Sequence, residues 1–401
     1  MKRIFTKYNV ILGSTLAKFY VILGIMIKRE LADTIQKQLQ KKKAIILLGP
    51  RQTGKTTLIR ELLKDKEYLF LNGDDVNTVR QLEGIGLSEL QRIIGKYKWV
   101  FIDEAQRIKG IGLTMKLITD QMQDVQLIAS GSSAFELKES VQESLTGRKY
   151  EHHLYPISWQ EFEQHVGYLE AENQLEERLV MGMYPEIVDN RVESKENLKL
   201  LSESYLYKDV YAFSNVRKPE LLEKLLRALA LQLGNEVSYN ELASLLEIEK
   251  ATVAKYIEVL EKTFVVFRLP SFSRNHRNEI KNNRKIYFYD NGIRNMIINN
   301  LNPFSFRNDI GPLWENFLVS ERVKRMTYAG KMTNFYFWRT DRQQEIDFIE
   351  ETEGEISAFE FKWKPSKRAY TPKGFVETYG KKVNLIDRDN FRTFLMEDEK
   401  E

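Results

Sequence analysis

Cysteine is absent from the chain, and histidine occurs only as His152, His153, His165 and His276. Disulfides and cysteine-ligated zinc are therefore excluded, and the reducing cytoplasm is the expected setting. An excess of one charge is also missing. The 61 basic and 57 acidic side chains leave a formal +4, so any basic surface must be local. Long clean apolar runs are lacking too. The opening MKRIFTKYNVILGSTLAKFYVILGI starts basic and turns apolar like a short anchor, but Lys18 interrupts it and no small-residue cleavage site follows. About 20 clean apolar residues are needed to span a bilayer, so no stable membrane insertion is expected. Met1–Ile25 reads as an extension outside the folded unit, which then opens at Met26 with an amphipathic helix. At 42% hydrophobic and 29% charged, the composition is that of a soluble globular protein. A chain of 401 residues exceeds one ordinary core, and two or three domains are expected.

Residues 44–57 read AIILLGPRQTGKTT. A buried-strand pattern, Ala44–Leu48, breaks into glycines, and a helix pattern follows at once over Thr57–Lys64. Gly49 through Thr56 fits G-x-x-x-x-G-K-S/T. The stretch Gly49, Pro50, Arg51, Gln52, Thr53, Gly54, Lys55, Thr56 and Thr57 is expected to curl its backbone N–H groups round phosphates, helped by the positive end of the helix. Lys55 would neutralise the outer phosphates and the Thr56 hydroxyl would ligate Mg²⁺. Such a loop needs a second strand ending in a carboxylate. KWVFIDE (98–104) supplies one: Asp103 is placed to hold Mg²⁺ and Glu104 to polarise the attacking water. A third strand, Val125–Ala129, ends in Ser130-Gly131-Ser132-Ser133, which fits a γ-phosphate reporter or an ordinary turn. Tyr68–Leu71 reads as a further strand. His152 and His153, as strand neighbours, point to opposite faces and do not form a metal pair.

Taken in order, GPRQTGKTT, FIDEAQRI, IASGSS, LTGRKYEHHLYPISWQEF and GMYPEIV resemble a prokaryotic group of AAA-type ATPases. Its members carry a C-terminal domain of unknown function similar to the PD-(D/E)XK nucleases, and the likeness runs from Met26 over nearly the whole chain. The resemblance implies ATP as the nucleotide, an AAA-like core and a sensing residue at Ser130. It also implies that Arg148, in LTGR, touches phosphate in cis or from a neighbouring subunit, which leaves a homo-oligomer open. The always-charged fork of arginine suits that contact; a plain surface arginine is the alternative, and Arg107 is a weaker competitor.

Pro156–Glu163 and Asn197–Tyr211 read as connecting helices, and Leu221–Leu233 as a periodic apolar helix. Ser238 is a good N-cap for YNELASLLE, which a short turn joins to the helix Lys250–Lys262. With strand-like Phe264–Leu269 and Lys285–Tyr289 following, the pattern is a winged helix-turn-helix. Its second helix balances Lys250, Lys255 and Lys262 against Glu249, Glu258 and Glu261, which argues against an electrostatic major-groove reader. The wing stretch carries Arg268, Arg274, Arg277, Lys281, Arg284 and Lys285 against Glu279. Nucleic-acid contact by Arg274, Arg277 and Lys281 is expected there; a solvated hairpin or a docking surface fits equally.

Asp347 lies in EIDFI, and ISAFEFKWK follows with Glu360 and Lys362 on one strand face and Phe359, Phe361 and Trp363 on the other. A D…ExK set suits metal-dependent phosphodiester cleavage: the carboxylates hold a second Mg²⁺ or Mn²⁺, and the lysine eases formation of hydroxide. The helix GPLWENFLVSER carries Glu315, matching the helical glutamate of those nucleases, with Glu321 as the other candidate. The acidic turn EETEGE opposes a nucleic-acid backbone. A switch that binds a protein partner through an inactive domain is therefore the alternative. The expected architecture is α/β: an AAA-like P-loop ATPase core (26–160), a helical linker (161–215), a winged helix (216–300) and an α/β restriction-endonuclease-like domain (301–401).

Overall fold

The structure is a computed structural model and describes residues 26–39, 41–132, 144–212, 218–273, 284–340, 344–366 and 369–396. The extension Met1–Ile25, Ser133 and the wing residues Arg274, Arg277 and Lys281 lie outside the described residues.

Five parallel strands open the fold: β1 (Ala44–Leu48), β2 (Tyr68–Asn72), β3 (Trp99–Asp103), β4 (Gln126–Gly131) and β5 (Lys149–His153). Their order is β2-β3-β4-β1-β5. Strand β1, flanked by β4 and β5, is buried at all five positions, as a parallel sheet covered on both faces requires. Ile45 lies between Ile128 and Tyr150, and Leu47 between Ser130 and His152. Parallel register brings the C-terminal ends of β1, β3 and β4 to one edge, with Gly49, Asp103 and Ser130 on it.

Four helices follow, Trp159–Val166, Tyr168–Met181, Pro185–Asp189 and Ser194–Ala212. A capping box between Ser158 and Glu161 starts the first. Trp159, Phe162, Leu175 and Leu179 share a core with Phe317, Phe348, Phe359 and Phe391 from the far end of the chain. Next, the helices Pro219–Leu231, Tyr239–Leu246 and Lys250–Lys262 pack on three antiparallel strands, β6 (Glu236–Val237), β7 (Val266–Pro270) and β8 (Arg284–Phe288), ordered β6-β8-β7.

The C-terminal part begins with the long helix Ile310–Tyr328. An antiparallel meander follows, β9 (Thr333–Arg339), β10 (Glu345–Thr352) and β11 (Glu355–Phe361), then the helix Lys373–Tyr379 and β12 (Val383–Ile386), which runs parallel to β11. The helix Ile310–Tyr328 buries charged as well as apolar residues. Each buried charge has a partner: the Arg322 fork donates to both oxygens of Glu350 at 2.6 and 2.9 Å, and Lys324 to Glu321 at 2.6 Å. Among the described residues no helix is long and apolar enough to cross a membrane.

Candidate functional site

The turn after β1 is shaped by close approach. Gly49 has φ 152, and a Cβ there would meet the Leu154 carbonyl oxygen at 2.1 Å, so no side chain fits. Lys55 and Thr56 open the helix Lys55–Leu62, which starts two residues earlier than the sequence pattern suggested. Lys55 is buried and its Nζ donates to the Gly49 and Pro50 carbonyls at 2.8 and 2.7 Å. Thr53 Oγ1 closes the turn onto the Pro50 carbonyl at 2.9 Å.

Asp103 sits at the centre. Its Oδ2 accepts from Thr56 Oγ1 at 2.8 Å, and its Oδ1 accepts from the fully buried Ser130 hydroxyl. Glu104 follows in a left-handed conformation, φ 49, an uncommon state for a residue with a side chain and one that concentrates at functional positions. Gly73 makes room for it, since a Cβ at Gly73 would lie 2.3 Å from the Glu104 carbonyl oxygen. The Glu104 carboxylate accepts from Gln106 Nε2 at 2.6 Å and Ser132 Oγ at 3.2 Å, and Gln106 also reaches Ser132 at 2.9 Å. Thr56, Asp103 and Ser130 thus form one hydrogen-bonded group, with Lys55 and Glu104 adjoining. A lysine, two hydroxyls and an aspartate beside a helix N-terminus are the donor set that a magnesium-bound triphosphate needs.

Sequence reading passed over Arg29. Its side chain is buried and reaches three chain segments at once: Glu161 Oε2 at 3.0 Å, the Thr53 carbonyl at 2.6 Å and the Tyr155 carbonyl at 2.7 Å. Burial opposes its charge, but Glu161 more than offsets this and holds the guanidinium above its ordinary range. Tyr328, from the end of the long C-terminal helix, accepts from the Tyr155 N–H at 3.0 Å and lies 3.5 Å from Arg29. A single arginine in an amphipathic segment carries no signal of partners 132 and 299 residues away.

Arg148 requires a correction. It immediately precedes β5, its carbonyl accepts from Ala44 N at 2.9 Å, and its Nε pairs with Asp120 at 2.6 Å. Ala44 begins β1, whereas the phosphate-type loop follows its end, about 15 Å away along the strand. That position does not favour contact with this chain's own loop; contact with another subunit and a plain surface arginine both stay open. Arg107 lies near Asp74, at 3.5 Å.

The C-terminal candidates divide into two groups. Glu360 accepts from Lys362 at 2.9 Å and from the Tyr370 N–H at 2.6 Å. Asp347 accepts from the Phe361 N–H at 2.8 Å. Glu315 accepts from Lys285 Nζ at 3.0 Å and the Tyr287 hydroxyl at 2.6 Å. Glu321 is elsewhere, buried against the Trp159 N–H at 2.6 Å and Lys324. In the wing stretch Lys285 is 1% exposed, and Arg268 donates to Glu261 at 2.7 Å. The expected second Mg²⁺ or Mn²⁺ does not fit this arrangement, because the Lys285 ammonium already stands among the carboxylates. Among the described residues no cluster of three or more histidine or acidic side chains is arranged to hold a metal ion.

Burial and then the Glu315 carboxylate push Asp347 up from 3.8 to about 7, against the pull of Lys285 and the Phe361 N–H. The folded state then takes up a proton that the unfolded chain releases, so stability contributed here is present at low pH and is lost as pH rises from about 4 through 7. Asp347→Asn should accordingly lessen the fall in melting temperature between about pH 5 and pH 8. An unchanged slope in circular-dichroism melts would show that Asp347 titrates normally.

The comparisons with known proteins agree with the first half of this geometry. Residues 41–163 match an AAA domain, residues 172–303 a Domain of unknown function (DUF8612), and residues 310–396 a Domain of unknown function (DUF4143). An uncharacterized protein of Methanocaldococcus jannaschii is 24% identical over 343 residues, covering 79% of this chain and 74% of its own. One from Mycobacterium tuberculosis is 26% identical over 347 residues, 84% of this chain and 74% of its own. In three dimensions a Walker-type ATPase of Pyrococcus abyssi aligns with a TM-score of 0.49 at 17% identity, over 68% of this chain and 96% of that one. This chain therefore carries an AAA-type P-loop ATPase domain, followed by helical and antiparallel-sheet regions that end in a domain of unknown function.

Proposed function

We propose that the protein binds ATP with Mg²⁺ at Gly49–Thr57, hydrolyses it, and uses the cycle as a conformational switch for its C-terminal half. The observation that carries this reading is Asp103, whose two oxygens tie Thr56 of the loop to Ser130 of β4. Thr56 and Asp103 would hold the magnesium ion, which supplies charge neutralisation at the phosphates. Lys55 and the backbone N–H groups of the loop bind the phosphate oxygens. Glu104, oriented by Gln106 and Ser132, takes the proton of the attacking water. Ser130 bonds Asp103 from the neighbouring strand and so moves with the metal ligand. Arg148, half-exposed at the far edge of the sheet, is assigned to a neighbouring subunit's site.

One measurement tests both assignments: ATP turnover across ranges of Mg²⁺ and protein concentration. Turnover should need Mg²⁺, and specific activity should rise with protein concentration in wild type and not in Arg148→Ala. Absence of turnover at every Mg²⁺ concentration would remove the ATPase reading. Normal, concentration-independent turnover in Arg148→Ala would leave that residue a surface arginine.

In this reading the C-terminal half acts by binding. The order helix, three antiparallel strands, helix, parallel strand supports a restriction-endonuclease-like fold, and the paired helices with β6–β8 support a winged helix. A protein partner is the first class. Nucleic acid is the second, on the strength of Arg274, Arg277 and Lys281 in the sequence; binding of DNA or RNA that weakens steeply with salt distinguishes it.

A further inference from the structure

The helix Lys250–Lys262 ends in an unusual cap. The Val265 N–H donates to the Leu260 carbonyl at 2.9 Å and the Phe264 N–H to the Glu261 carbonyl at 3.0 Å. These are the two bonds of a Schellman turn, whose left-handed residue is usually glycine. Here that residue is Phe264, at φ 59, a backbone state that a bulky side chain adopts only under constraint. Where the ring goes shows the constraint. Leu260 and Val265 pack into the core of the helices Pro219–Leu231, Tyr239–Leu246 and Lys250–Lys262, whereas Phe264 is buried in the core of the ATPase sheet. Its ring lies edge-on to His153 and Tyr155, with centroids 5.4 and 6.4 Å away. Tyr289, just after β8, stacks on Tyr155 at 5.1 Å and donates its N–H to the Val265 carbonyl at 3.2 Å.

Tyr155 is one residue away from the support of the phosphate-type loop. The Leu154 carbonyl lies so close to Gly49 that no Cβ fits between them, and the Leu154 N–H donates to the Leu48 carbonyl at 2.7 Å. Lys55 donates to the Gly49 and Pro50 carbonyls. Turning to phosphate oxygens instead releases both carbonyls, and Gly49 cannot shift toward β5 without moving Leu154. We propose that Phe264 couples the nucleotide to the helix Lys250–Lys262. The loop with ATP bound holds the end of β5 where the Phe264 ring seats, so ATP steadies that helix, and the seated helix raises ATP affinity by the same factor. This coupling rests on the ATP switch proposed above and gives it a named route into the second half of the chain.

The test is hydrogen–deuterium exchange of the full chain by mass spectrometry, with and without Mg²⁺ and the slowly hydrolysed analogue ATPγS. In wild type, exchange should slow both in Gly49–Thr57 and in Lys250–Lys262, in the helix by about fivefold or more. Phe264→Gly suits the left-handed turn and removes the ring. At saturating ATPγS it should keep the slowing in Gly49–Thr57 and lose it in Lys250–Lys262, and its affinity for ATPγS should fall by about fivefold or more. If it does not fold, Phe264→Leu keeps an apolar filler without a ring against His153 and Tyr155, and should lose most of the slowing in the helix. Slowing confined to Gly49–Thr57 in wild type would overturn the coupling and leave ATP binding standing, whereas slowing in neither segment would overturn both. A folded Phe264 variant that keeps the full wild-type slowing in Lys250–Lys262 would also overturn the coupling.

Discussion

Alanine at Lys55 is expected to weaken ATP binding by about 100-fold or more, because truncating one member of a buried charge pair costs roughly 2–5 kcal/mol. In the folded loop the Lys55 ammonium is buried and its donors turn to the Gly49 and Pro50 carbonyls. It therefore sits inside the turn that must receive the phosphates. Glu104→Gln should fail differently. It preserves the side-chain shape and leaves Lys55, Thr56 and Asp103 untouched, so affinity should stay within a fewfold of wild type. Turnover should fall by about 10²–10⁴, the range for loss of a positioned general base. Equilibrium binding and single-turnover hydrolysis, measured on both variants, separate the roles. Full-speed hydrolysis by Glu104→Gln would show that Glu104 is not the proton acceptor.

The second large effect is expected at Arg29. Arg29→Ala should destabilise the ATPase region by about 3–5 kcal/mol, because Glu161 would be left buried with its charge uncompensated. The loss goes beyond one ion pair. The Thr53 and Tyr155 carbonyls each lose a charged donor, and Glu161 keeps only its capping duties at the Ser158 and Glu30 N–H groups. Arg29→Lys should recover part of the stability, since one compact ammonium cannot span the three acceptors that Nε, Nη1 and Nη2 reach separately. Denaturant unfolding, followed through the transition that ATP shifts, reads the effect. A loss under about 1 kcal/mol, the scale of exposed pairs, would mean that Arg29 is not the buried tie described here.

The contrast between Lys55 and Arg29 explains what was legible in the sequence. Gly49–Thr57 is contiguous, and strand-then-helix patterning on either side gives it a structural context before any coordinates. Asp103 and Ser130 were reachable for a related reason: each ends an apolar run, and parallel strands deliver their C-terminal ends to one edge. Arg29, Gln106 and Ser132 matter through side-chain direction and distant partners, which no local pattern encodes. Lys285 was ambiguous for the same cause. Its alternation with Ile286 was visible, but not which unit would cover its face, so a solvated hairpin and a docking surface fitted the basic stretch equally. Arg148 was recognisable as a motif residue, yet the sequence could not say which end of β5 it would occupy.

The helix Ile310–Tyr328 has a mechanical consequence. Near one end, Tyr328 bonds the Tyr155 N–H beside Arg29 and Thr53; near the other, Glu315 holds Lys285. Thirteen residues of α-helix separate the two, about 20 Å of stiff rod. Tilting that rod by about 10° about Tyr328 would sweep Glu315 through some 3–4 Å by lever geometry. An ion pair made at 3.0 Å does not survive a displacement of that size. Any tilt of this helix about its Tyr328 end would therefore be magnified at the Glu315–Lys285 pair a rod's length away.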